Sequence, residues 1–161
     1  MRSLWSFPNP VNDRAARTVA AGVVLMALAY AVTGWLPILV ALAYGFVART
    51  LTGPTLSPLG QLATRVVVPR LGLEPVLVPG PPKRFAQGIG AVVSVSALGL
   101  AVAADAPTIA RIVAGALVIP ATLEAAFGFC IGCKIFALLM KVGIIPPQVC
   151  EACNDLSLRR A

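Results

Sequence analysis

From Thr18 to Ala48 the chain carries no charged side chain, and few features restrict a fold more. Gly34-Trp35-Leu36-Pro37 interrupts the run with a turn, so two apolar segments stand back to back, about 15–33 and 36–51, the second reaching Leu51 if Arg49 snorkels. Two more follow at about 85–104 and 109–129. Each approaches the ~20 residues that a helix needs to cross ~30 Å of hydrocarbon. Backbone polar groups in lipid must be paired within the segment, which selects helices over strands. The expectation is an all-α integral membrane protein, one domain over 1–161, with four transmembrane helices in two hairpins and Tyr30 and Trp35 near an interface.

The charges agree with this reading. Only 12% of residues are charged against 58% hydrophobic, about half the charged share of a soluble domain. With four crossings, twelve of the thirteen lysines and arginines fall on one side and Arg111 alone on the other. That asymmetry puts both termini in the cytoplasm of a multi-pass protein of the cell (inner) membrane. The net charge of +7 is then a topology signal rather than a nucleic-acid footprint, since aromatic residues are few and no basic stripe interleaves with them.

Residues 52–84 form a basic cytoplasmic loop holding half the prolines, which forbids one long helix. Pro58 to Val68 could still make three turns along the membrane surface, with Leu59, Leu62 and Val66 on one face and Gln61, Thr64 and Arg65 on another. In the fourth helix Pro120 invites a kink. Glu124, one turn on, is an intramembrane acid that must face the bundle or water. It either handles protons or cations, or is structural, being neutral or paired with Arg14, Arg17 or Arg84. Gly128 and Gly132 have the spacing of close helix contacts. Lys134 to Ile145 is apolar but too short to cross again; it prolongs the fourth helix or folds along the surface.

Chemistry concentrates in segment 130–161, a short cytoplasmic tail with helical character. Cys130-Ile-Gly-Cys133 and Cys150-Glu-Ala-Cys153 are two CxxC pairs, and the chain has no histidine. Three readings stand side by side. The four cysteines are working dithiols, with Lys134 favouring a thiolate at Cys133; or they bind a structural zinc, the linker fitting a four-cysteine site; or they only pack. The cytoplasm disfavours a permanent disulfide. A small transporter, with Glu124 and Pro120 lining its path, is a rival class. A scaffolding subunit of a larger membrane complex is another, and a homo-oligomer fits either.

The string Phe127-Gly-Phe-Cys-Ile-Gly-Cys133, followed by Ile145-Pro-Pro-Gln-Val-Cys150, resembles the bacterial membrane family catalogued as domain of unknown function 4395. Asn9-Pro-Val-Asn12 with Arg17, and Lys83-Arg84-Phe85-Ala86-Gln87, look like its other signature stretches. The resemblance implies a four-helix membrane protein of unassigned activity. Members are encoded beside thioredoxin-like and sulfurtransferase proteins, which implies such a partner and adds weight to thiol-redox or sulfur-relay chemistry at the cytoplasmic face.

Overall fold

The structure is a computed structural model that describes residues 7–150. Its elements are almost all helical: α1 (Asp13–Thr33), α2 (Leu36–Thr52), α3 (Pro58–Leu62), α4 (Val68–Arg70), α5 (Gly80–Val102), α6 (Pro107–Gly115), α7 (Val118–Phe127) and α8 (Ile131–Lys141). Two short strands, β1 (Val11–Asn12) and β2 (Leu77–Val78), pair antiparallel with Val11 opposite Val78. Three helices are long and apolar enough to span a membrane: Asp13–Thr33, Gly80–Val102 and the broken Pro107–Phe127; Leu36–Thr52 is a shorter apolar helix. Large aliphatic side chains point outward along them, among them Leu25, Val92, Ile112 and Ile119. Water would not tolerate that many exposed apolar groups on adjoining helices, whereas a bilayer is suited to them.

Inside, Tyr30, Leu39, Leu42 and Phe46 are enclosed by small residues, with Ala97, Ala110 and Ala114 fully covered. Without a hydrophobic drive between helices in lipid, small residues at the contacts let backbones approach and maximise packing. α5 lies at the centre, touching α2, α6 and α8, while α1 packs on α7, α6 and α2.

Helix ends fall close to where composition places them, with instructive exceptions. α5 begins at Gly80, earlier than the expected 85, because Pro81 and Pro82 occupy its first turn. There a missing N–H leaves no bond unmade and the fixed φ favours helix. The fourth apolar segment is two helices, parted at Ala116–Leu117. The cause is Pro120, whose ring crowds the carbonyl four residues back, that of Ala116, and cannot donate to it.

The central loop is helical from Pro58 to Arg70, with a π turn at Ala63–Val67 between α3 and α4. Its inward face is Gly60, Ala63 and Val68, with Leu59 seated over Gly22 of α1. Leu62, expected beside Leu59, is exposed, because the wider turn changes which residues face α1.

Gly128 does not contribute to a close helix contact. It ends α7 in a left-handed conformation (φ 67°) that an L side chain would strain, and the chain turns before α8. Lys134–Lys141 therefore does not prolong the fourth helix; α8 is separate and lies against α5. Phe136 meets Phe85 edge-on at 5.6 Å, and a Cβ on Gly132 would stand 2.7 Å from the Ala86 Cα.

Candidate functional site

Polar groups converge where α1 and α5 begin and α7 ends. The Lys83 ammonium lies 2.8 Å from Asp13 Oδ1 and 2.7 Å from Glu124 Oε1, and Lys83 is only 7% exposed. A buried ammonium survives only with such partners, so Glu124 faces the bundle, as an acid in an apolar helix must. Its partner is Lys83, not the expected Arg14, Arg17 or Arg84. Two of those arginines are committed elsewhere. Arg17 donates to the carbonyls of Ala125 (3.2 Å) and Ala126 (2.8 Å) at the end of α7, and Arg84 donates to Thr50 O (2.9 Å) near the end of α2. At the opposite end Arg111 donates to Ala31 O (2.8 Å) and Val32 O of α1. Each cation meets the negative end of another helix and satisfies carbonyls that have no helical partner.

Beside this cluster Arg49 is 5% exposed. Its Nε donates to Gln87 Oε1 (2.8 Å) and its Nη1 to Ser57 Oγ (3.1 Å). Its guanidinium carbon lies 4.7 Å from the centre of the Phe46 ring.

The first cysteine pair opens α8. Cys130 is the N-cap, with Sγ accepting from the Cys133 N–H at 3.3 Å. Cys133 sits one turn in, so its thiol also donates to Cys130. That bond holds the Cys130 thiol below the ordinary thiol range, although burial opposes it; the same bond and burial push Cys133 far up. The thiol held low is therefore Cys130, through the Cys133 bond, rather than the expected Cys133 beside Lys134; Lys134 Nζ lies 5.6 Å from the Phe129 ring centre. Cys130 is 7% exposed and Cys133 more open. Cys130 lines a cavity of about 190 Å³ that runs under α8, walled by Phe46, Gln87, Pro120, Glu124 and Gly132.

Cys150 ends a 3-10 turn, Pro147–Cys150, and is 4% exposed. Cys130 and Cys133 are free thiols, whereas Cys150 is disulfide-bonded, although a reducing compartment had disfavoured such a bond. Cys153 lies outside the described residues. Among the described residues no group of three cysteine, aspartate or glutamate side chains is placed to hold a metal.

Sequence reasoning missed Lys83, Gln87 and Arg49 as interior groups. Arg49 was readable as a cation inside an apolar segment. Lys83 was hidden by its position after a proline run, where a solvated loop was expected.

Together these features define a helical bundle with bilayer-length apolar helices, a buried ion-paired cluster and a dithiol at a helix N-terminus. The chain belongs to the family described as domain of unknown function (DUF4395), whose profile matches residues 11–141. No curated protein and no solved structure is significantly similar to it.

Proposed function

We propose that the protein is a four-crossing thiol–disulfide exchange protein of the cell membrane, its first CxxC pair working at the cytoplasmic face with a soluble thioredoxin-like or sulfurtransferase partner. Leu36–Thr52 is then the fourth crossing, its 17 residues sufficient where a shorter span thins the bilayer locally. The observation that carries the reading is the division of labour between Cys130 and Cys133. A helix N-terminus and a neighbouring S–H donor stabilise Cys130 as thiolate, while Cys133 is the sulfur that a protein partner can reach.

Exchange follows from that division. With the pair oxidised, a partner thiolate attacks Cys133 Sγ. A new S–S bond forms to Cys133 while the Cys130–Cys133 bond breaks, and Cys130 leaves as the stabilised thiolate, a low-pKa leaving group. The partner's second thiol loses its proton and attacks the partner's own bridging sulfur, expelling Cys133. Two electrons and one proton have passed to the pair, which ends as a Cys130 thiolate and a Cys133 thiol, and the partner holds the disulfide. The reverse sequence oxidises the pair.

The test is a trap. Cys130→Ser keeps an oxygen to cap α8 but cannot displace a partner bound at Cys133. Expressed in cells and run without reductant, this variant should accumulate an adduct with a thioredoxin-like or sulfurtransferase protein that reductant releases and that Cys130→Ser/Cys133→Ser lacks. Absence of any Cys133-dependent adduct, with the wild-type pair staying reduced after diamide treatment, would sink the proposal.

A further inference from the structure

The two stretches that the exchange chemistry leaves unused, Asn9 to Asn12 and Lys83 to Gln87, meet over a second cavity of about 170 Å³ between α1, α2, α3 and α5. The polar side chains lining it are Arg49, Lys83, Gln87, Asn12 and Thr64, and no carboxylate is among them. Asp13 and Glu124 stand behind Lys83 and are held by it. The rest of the wall is apolar, and Thr64 spends its hydroxyl proton on Gly60 O, so the polar groups left facing the cavity are mainly hydrogen-bond donors. Gln87 and Asn12 give their carbonyl oxygens to Arg49 Nε and to the Arg14 N–H, which leaves their NH₂ groups. Lys83 has three protons and two carboxylate partners.

Arg49 supplies the decisive observation. Its Nη2 is the one buried side-chain nitrogen or oxygen without a hydrogen-bond partner among the described residues. Its partners are neutral: Gln87, Ser57 and the Phe46 face. No carboxylate forms an ion pair with it among the described residues. Glu124, held by Lys83, reaches it only from beyond ion-pair distance. A charge taken out of water without a direct ion pair is costly in an interior, and the ring offsets only part of that. The planar fork also gives direction. Nε–H and Nη2 share one edge of the guanidinium, and that edge faces Gln87, which lines this cavity and the one under Cys130. Arg49 itself also lines a smaller cavity with Gly45 and Ser57.

We propose that this cavity binds a small tetrahedral oxyanion of the phosphate or sulfate type, free in solution or carried on a lipid headgroup, with Arg49 as its principal ligand. The N-terminal residues Phe7, Pro8 and Pro10 roof the site. The anion takes the bond that Nη2 lacks, with the Gln87 and Asn12 amides and the third Lys83 proton completing its shell. Guanidinium and phosphate or sulfate are matched in geometry as well as charge. The site shares Val19 and Gln87 with the cavity under Cys130 but uses neither thiol.

The test uses the purified full chain in discs of zwitterionic lipid. Its melting is followed as sodium phosphate or sulfate replaces chloride at constant ionic strength, and again in discs containing phosphatidylglycerol. A ligand of the folded state raises the melting temperature saturably. The expected result is such a rise, lost in Arg49→Gln and at least about tenfold weaker in apparent affinity in Arg49→Lys, which keeps the charge without the fork. Ala16→Leu fills the cavity without touching Arg49 and should lose the response too; it decides the matter if Arg49→Gln does not fold. Cys130→Ser should respond as wild type, so failure of the exchange proposal leaves this one standing. A response to phosphatidylglycerol but not to the inorganic ions assigns the ligand to a lipid phosphate; the opposite pattern assigns it to a free anion. No saturable rise in wild type with either source, or a rise undiminished in both Arg49→Gln and Ala16→Leu, overturns the site.

Discussion

Lys83 holds two carboxylates from opposite ends of the sequence, so its removal and theirs are not equivalent. Lys83→Met leaves Asp13 and Glu124 buried without a cation, and breaking a buried pair in this way costs about 3–5 kcal/mol. Glu124→Gln keeps the side chain's volume and leaves the Asp13–Lys83 bond of 2.8 Å in place. Thermal melting in detergent should therefore show Lys83→Met strongly destabilised and Glu124→Gln only mildly. The reverse ranking would mean that Glu124, not Lys83, organises the cluster. The thiols make a second residue-scale prediction. Because Cys130 sits below the ordinary thiol range and Cys133 far above it, raising the pH should remove one proton early and leave the second in place well into alkali. Thiolate ultraviolet absorbance, as the difference between wild type and Cys130→Ser, should show that early step. In Cys133→Ala, where the S–H donor is gone, the step should move to higher pH. An unchanged midpoint would assign the stabilisation to the helix end alone. These groups differ in how readable they were. Glu124 announced itself as an acid in an apolar helix, and CxxC as a dithiol. Which cation Glu124 meets depends on a helix 41 residues distant, and no local pattern encodes that distance.

At the scale of elements, apolar run length located α1, α2 and α5 because lipid removes the alternatives to helix. Two places escape it, where a single residue acts through geometry. α5 begins five residues before the expected 85 because Pro81 and Pro82 help to start it, and Gly128, spaced like a helix contact, is a stop. The kink expected at Pro120 is a full division between α6 and α7. The docking of α8 yields a prediction of the same kind. A methyl on Gly132 would reach the Ala86 Cβ at 2.5 Å and its Cα at 2.7 Å, and backbone cannot swing aside as a long side chain can. Gly132→Ala should push α8 off α5 at about 1–3 kcal/mol, the usual range for overpacking, and alkylation of the buried Cys130 should become faster. Equal alkylation rates in the two proteins would show that α8 is not held by this contact.

For the whole molecule, the charge distribution does two jobs. Arginines that enter the charge count also cap helices: Arg17 on α7 and Arg84 on α2, with Arg111 closing α1 at the other end. The proposed four-crossing topology is open to direct measurement. In a background with all four cysteines changed to serine, Trp35→Cys and Pro107→Cys should react with a membrane-impermeant maleimide added to intact cells. Pro79→Cys should react only after lysis. Labelling of Pro79→Cys from outside would invert the orientation and put the Cys130 pair on the wrong side for a soluble cytoplasmic partner. Charge counting yields an expectation of sidedness because it is additive over loops. It could not supply the interior cluster, in which two of the same charges, Arg49 and Lys83, are withdrawn from the surface.

The ladder between β1 and β2 has a consequence for how the protein is made. It joins the chain just before α1 to the chain just before α5, and Asp13 N–H donates to Val76 O (2.7 Å). The start of the first helix is thereby brought beside that of a helix synthesised some seventy residues later. As the ribosome adds α1 and α2, Asp13 has no lysine; when α5 arrives, Lys83 finds Asp13 but not yet Glu124. Only when α7 enters is the cluster complete. An unfinished chain therefore exposes unpaired charge at this one spot, and a finished one hides it, so the ion-paired centre distinguishes an assembled protein from an incomplete one.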